Sequence, residues 1–131
     1  MDDGRLQLNL LNPDKTLKKI VVENESDVQN IETFSSKVNK LGHVLFRGKD
    51  KRGKRSLFFY NGFEVTKILS EGDEIDSDLG MAKILDNEYY PGISGEADLN
   101  DNDQIVFCVL IQSAKDNREW GQGIYLIDSK K

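Results

Sequence analysis

His43 and Cys108 are the chain's single histidine and single cysteine, and they bound its options for nucleophilic chemistry. A Ser-His-Asp or Cys-His mechanism needs the imidazole as its base. His43 falls at a plain strand position, the counterpart of Gln104 in the alignment below, and reads as a surface histidine. Cys108 lies in the most apolar run of the chain, Ile105 to Ile111, and reads as a buried, inert thiol; a nucleophile needs exposure and a lowered pKa. Gly92-Ile93-Ser94-Gly95 lacks the spacing of a nucleophile elbow. One histidine and one cysteine nearly exclude a zinc site within one chain.

Carboxylates are more plentiful. The stretch 73–98 holds Asp73, Glu74, Asp76, Asp78, Asp86, Glu88, Glu96 and Asp98 against the single Lys83. Calcium takes several hard oxygen ligands from a flexible loop, and Asp98, Asn100 and Asn102 fit the first three ligand positions of an EF-hand-like loop. Asp103 stands where the turn glycine belongs, however, and Val109 where the bidentate glutamate belongs. Asp76-Ser77-Asp78 is equally short of partners. The competing reading is a turn whose Asn and Asp side chains bond their own backbone without metal. Asp76 and Asp78 also admit a hydrolase acting on sugars or phosphoesters, given a mate across a pocket.

Lys51, Arg52, Lys54 and Arg55 form the one basic cluster, in the loop 49–55. It can grip phosphate, or it is the solvated tip of a hairpin turned at Gly53, with charges that discourage edge aggregation. A third reading sets the basic tip against the acidic stretch of a neighbouring copy. A net charge of −5 argues against a protein that lives on nucleic acid. Tyr89, Tyr90 and Trp120, read as loop residues, are the candidate ligand-binding aromatics, because rings give large contact area at low entropic cost. They serve equally well as caps on the ends of a core.

The elements that position these residues are written more than once. Val38–Phe46 aligns with Leu99–Phe107 at a spacing of 61 residues, Leu17–Glu23 with Val65–Glu71 at 48, and Leu57–Asn61 with Ile124–Asp128 at 67. The three blocks keep the same order in both copies. Leu6-Gln7-Leu8-Asn9, Asn12-Pro13-Asp14-Lys15 and the Leu17 block resemble Leu57 through Leu69 and add a partial third copy. Repeat one is placed at 16–62 and repeat two at 63–128, in a single domain 1–131. The strand 6–10 would close a preceding repeat.

Each block reads as a strand. Asn61-Gly62 between two β-rich runs predicts a tight hairpin with both turn residues at positive φ. Turns are expected at Asn12-Pro13-Asp14 and at Asn39-Lys40-Leu41-Gly42. Val44 and Phe46 alternate with His43, Leu45 and Arg47, which predicts a half-buried strand. Ile105 to Ile111 is apolar on both faces and should be central. No amphipathic helix is expected beyond one turn within Asp27 to Phe34. The fold class is therefore all-β: antiparallel hairpin repeats, arranged like propeller blades or as a two-sheet sandwich. Propellers typically close with about four or more blades, so the chain is expected to be part of a longer protein, a self-associating unit or a compact sandwich.

Asn39-x-x-Gly42-x-Val44-Leu45-Phe46-x-Gly48 resembles a family of bacterial tandem-repeat proteins with the hallmark Asn-x-x-Gly-x-x-Ala-Phe-x-Ala. Gly123-Ile124-Tyr125-Leu126-Ile127 and Lys67-Ile68-Leu69-Ser70-Glu71-Gly72-Asp73 look like its two other motifs. The resemblance covers most of 16–128. It departs where Asp103 replaces glycine and where Leu45 and Val106 replace the first alanine. It implies a propeller-like repeat region, often exported or surface-anchored, and brings no catalytic residues. The chain opens with the charged Met1-Asp2-Asp3-Gly4-Arg5 and no signal-peptide core follows. No run approaches the roughly 18 apolar residues of a membrane span. The functional expectation is a non-catalytic module for structure or for binding a protein or carbohydrate, with recognition on loops 49–55, 73–98 and 113–122. The alternatives are the carboxylate hydrolase and a calcium-dependent ligand-binding domain.

Overall fold

The computed structural model describes residues 5–33 and 36–130. They form twelve strands and no helix: β1 Gln7–Leu11, β2 Leu17–Val22, β3 Val28–Ile31, β4 Lys37–Val38, β5 Val44–Asp50, β6 Arg55–Tyr60, β7 Val65–Ser70, β8 Glu74–Ser77, β9 Gly80–Ile84, β10 Ile93–Leu99, β11 Gln104–Ser113 and β12 Glu119–Asp128. All pairings are antiparallel. The β1–β2 hairpin stands alone as a two-stranded sheet. A middle sheet runs β3-β5-β6-β7, with β4 on the same edge of β5 as β3. A third sheet is built on β11, which pairs with β12 along one side and with β10 and β9 on the other, β8 lying beyond β9.

The three sheets stack as layers. Leu45, Leu57, Phe59 and Leu69 of the middle sheet pack on Ile93, Ile105, Phe107, Val109 and their neighbours in the third. Val44, Phe46, Phe58 and Tyr60, on the opposite face, pack on Val21, Leu8 and Ile20 of the hairpin, together with Val28 and Ile31. The middle sheet is thus covered on both sides, and Val44 to Arg47 are all buried. This corrects the expected half-buried strand: alternation shows which residues share a face, not how many faces are covered. Arg47 tolerates its position because its guanidinium donates to the Gly95 carbonyl and lies 3.3 Å from the Glu32 carboxylate.

The aligned blocks occupy matching places. β1 pairs with β2 as β6 pairs with β7, position for position, and a bulge falls between Leu8 and Asn9 where the other hairpin has one between Leu57 and Phe58. Phe46 stacks on Phe58 across β5 and β6 at 5.3 Å, and Phe107 stacks on Tyr125 across β11 and β12 at 5.6 Å. The Asn39 and Asn100 turns share one hydrogen-bond pattern, each Asn side-chain oxygen accepting from the amides two and four residues on. They also interlock: Asn39 Nδ2 donates to the Asn100 carbonyl, and the Lys40 amide to Asp101.

Asp103 takes the left-handed φ of 60° where Gly42 has 77°. An aspartate accepts that conformation here because its carboxylate, 4% exposed, receives Asn39 Nδ2 at 2.6 Å and lies 2.9 Å from His43 Nδ1. His43 is therefore partly covered between the turns, edge-on to Phe59, rather than a free surface histidine.

Several expected elements differ. The Asn61-Gly62 hairpin is a longer loop closed between Asn61 and Glu64, with only Gly62 at positive φ; Asn61 Oδ1 caps the amides of Phe63 and Glu64 instead. Asp27 to Thr33 holds β3 rather than a helical turn, and Phe34 lies outside the described residues. The stretch 73–98 is mostly strand, since Ile75, Ala82, Ile84, Ile93 and Ala97 face the core while the acids face out. Cys108 is half-buried, on the outward face of β11. Among the described residues no helix is long and apolar enough to cross a membrane.

Candidate functional site

An open cleft of about 740 Å³ lies between the tip of the β5–β6 hairpin and the loop joining β9 to β10. Lys49, Gly53, Lys54 and Arg55 form one wall, and Asp86 to Pro91 the other, with Glu71 at the base.

The basic wall is held by a buried anion. Asp50 is fully buried at the end of β5. Its carboxylate accepts the amides of Arg52 and Lys54, the Arg52 guanidinium at 2.9 Å, Lys67 Nζ at 3.0 Å and Ser70 Oγ at 3.1 Å. Burial opposes ionisation, but the bonds from Lys54, Lys67 and Arg52 outweigh it and hold this carboxyl far below the usual range. Asp50 thereby fixes the turn from which Lys54 and Arg55 project. Lys54 reaches Asp86 across the cleft at 2.6 Å, and Arg55 is bound to Glu32 at 2.7 Å. The Lys51 amide donates to Asp27.

The opposite wall is preset by an Asx turn. Asn87 Oδ1 accepts the amides of Tyr89 and Tyr90 at 2.9 and 3.1 Å. Glu71, 8% exposed, accepts the Gly92 amide and anchors the end of the loop. Gly92 is required by close approach: a Cβ there would stand 1.9 Å from the Leu85 carbonyl oxygen. Tyr90 Oη donates to Glu119 at 2.5 Å, and that bond raises its pKa. Tyr89, 82% exposed, leaves its ring open to solvent.

The structure therefore brings Tyr89 and Tyr90 together with Lys54 and Arg55, which sequence spacing had kept apart. Trp120 does not join them: it stands in β12, half-buried against the core between the middle and third sheets. Asp76 and Asp78 sit on the β8–β9 hairpin, and after burial their charges are what raises the pKa of Tyr125. Asp98 faces outward on β10 opposite Val106. Asn100 spends its oxygen on the amides of Asn102 and Gln104. Among the described residues no three His, Cys, Asp or Glu side chains are grouped to hold a metal.

Sequence reasoning missed Asp50 and Glu71 as organisers. Asp50 is one acid inside a run of cations and looks solvated. The Asp86-Asn87 pair just before Tyr89 was the readable signal for a turn presenting aromatics. No family model, curated protein or solved structure matches the chain.

Proposed function

We propose that the protein is a non-catalytic β-repeat module that binds a carbohydrate in the cleft between the β5–β6 tip and the 86–91 loop. The matched hairpin bulges, stacked aromatic pairs and Asn turns support the repeat reading and a propeller-blade-like build for each sheet. One observation carries the binding reading: an open tyrosine face, Tyr89, beside a dense set of polar groups of both signs. A sugar offers a C–H face to stack on such a ring and hydroxyls to bond with the carboxylates, amides and ammonium groups around it.

The pairing pattern favours a neutral polar ligand over phosphate. Lys54 is engaged by Asp86 and Arg55 by Glu32, so these cations are largely balanced within the chain. The same fact favours binding over acid–base chemistry, because Asp86 holds Lys54 and Glu71 holds the Gly92 amide.

A glycan screen, with hits measured by calorimetry, tests the proposal. The expected result is binding that Tyr89→Ala weakens at least tenfold with the melting temperature unchanged. Binding indifferent to Tyr89→Ala, or no glycan bound, overturns it.

A further inference from the structure

Glu71 lies at the base of the cleft, and the chain builds its surroundings twice. At the block spacing of 48 its counterpart is Glu23. Both glutamates follow the second strand of a bulged hairpin, β7 for Glu71 and β2 for Glu23. Their own amides donate to the neighbouring chain in the same way, Glu71 to the Arg55 carbonyl and Glu23 to the Leu6 carbonyl. Each side chain then accepts a backbone amide from farther along, Glu23 Oε2 from Ile31 at 2.8 Å and Glu71 Oε2 from Gly92 at 2.5 Å. Ile31 and Gly92 stand 61 residues apart, the spacing of the Phe46 and Phe107 blocks.

The two clamps differ at the other carboxylate oxygen. Glu23 Oε1 accepts the Leu6 amide at 2.9 Å, so amides hold both of its oxygens. Among the described residues no side chain or amide donates to Glu71 Oε1, although Glu71 is only 8% exposed. The atom is not sealed in the interior, as Glu32 Oε2 and Arg47 Nε are. Its opening is the cleft that Glu71 lines. A carboxylate oxygen so nearly enclosed has lost most of its hydration, so a donor brought to it is strongly favoured. At the equivalent atom of Glu23, that donor is an amide N–H.

The groups beside the clamp narrow the ligand further. Pro91 directly precedes Gly92 and lines the same cleft, as does Tyr90, 43% exposed. An apolar surface thus adjoins a nearly buried acceptor. An acetamido group suits both, because its N–H donates to the carboxylate and its methyl covers proline and tyrosine carbons. It is also uncharged, in keeping with a cleft whose Lys54 and Arg55 are already paired. A hydroxyl in its place brings a donor but no methyl.

We infer that Glu71 Oε1 reads the amide N–H of a 2-acetamido sugar in the glycan that stacks on Tyr89. The inference rests on the carbohydrate reading of the cleft and adds the substituent that the cleft selects.

Calorimetry on the intact chain with two matched ligand pairs tests it: chitotetraose against cellotetraose, and N-acetylgalactosamine against galactose. Within each pair the sugars differ only in carrying an acetamido or a hydroxyl group at C2. In at least one pair the acetamido member should bind about tenfold more tightly. Glu71→Gln should remove that preference with the melting temperature unchanged, since glutamine keeps an oxygen for the Gly92 amide but turns its NH2 toward the ligand. Glu23→Gln, away from the cleft, should leave the preference intact. Tyr89→Ala should weaken both members of the pair alike. The comparison within each pair needs only the wild-type chain, so it stands even where a variant folds poorly. Hydroxyl sugars bound through Tyr89 as tightly as their acetamido partners overturn the inference and leave the carbohydrate reading in place. A preference that survives Glu71→Gln, or no binding of either acetamido sugar, overturns it as well.

Discussion

Asp50 is one acid in the run Lys49-Asp50-Lys51-Arg52, and it is the member with no exposure at all. Removing it takes the acceptor from the Arg52 guanidinium and two amides, and one of two partners each from Lys67, which keeps Asp27 at 3.0 Å, and Ser70, which keeps Ser56. Asp50→Ala should cost about 3 kcal/mol in a denaturant titration. Its folded pKa lies below the ordinary 3.8, so the ionised form stabilises the fold above that pH and the contribution is lost as pH falls below it. The gap in denaturation midpoint between wild type and Asp50→Asn should therefore be largest near neutrality and shrink below about pH 4. Asp103 gives a second test. Asp103→Ala keeps a side chain at positive φ while removing the partner of Asn39 and His43, and should cost about 3 kcal/mol by the same titration. Both roles were hard to read in the chain. A charged side chain is exposed by default, and only the fold shows that these two are surrounded by donors.

Strands and turns were more legible, because periodicity and turn chemistry are local. The Asn39–Gly42 turn and the blocks around Phe46, Leu57, Ile68 and Phe107 stand where the alignment put strands. The stretch 73–98 was not legible, since its inward positions include Ala82 and Ala97 and leave a weak alternation among many acids. Gly48 shows a different limit. A Cβ there would stand 1.9 Å from the Asn30 carbonyl oxygen, where β3 pairs with β5 through an irregular register. The motif signals a glycine but not its neighbour. At this scale the β1–β2 hairpin is the outer layer over the middle sheet, seated through Val21, which is 3% exposed. Val21→Asp should release it: hydrogen exchange is expected to accelerate at the amides of β1 and β2, while β11 and β12 keep their protection.

At the scale of the molecule, rigid stacked sheets hold two loops at a fixed separation, and the cleft between them is where sequence and structure meet most usefully. Each wall was visible by itself, the basic tip and the tyrosine loop. Their juxtaposition was not, because it depends on how the middle sheet lies on the third. The Lys54–Asp86 bridge closes that gap within one chain, so the basic tip finds its acidic partner without a neighbouring copy. An amide-resolved NMR titration of the intact protein with the best-bound glycan tests the central claim most directly. The shift changes should concentrate at residues 49–55 and 86–92 and at the Tyr89 ring, and Tyr89→Ala should abolish them. Changes centred on the β8–β9 hairpin, or spread evenly over the strands, would contradict the account.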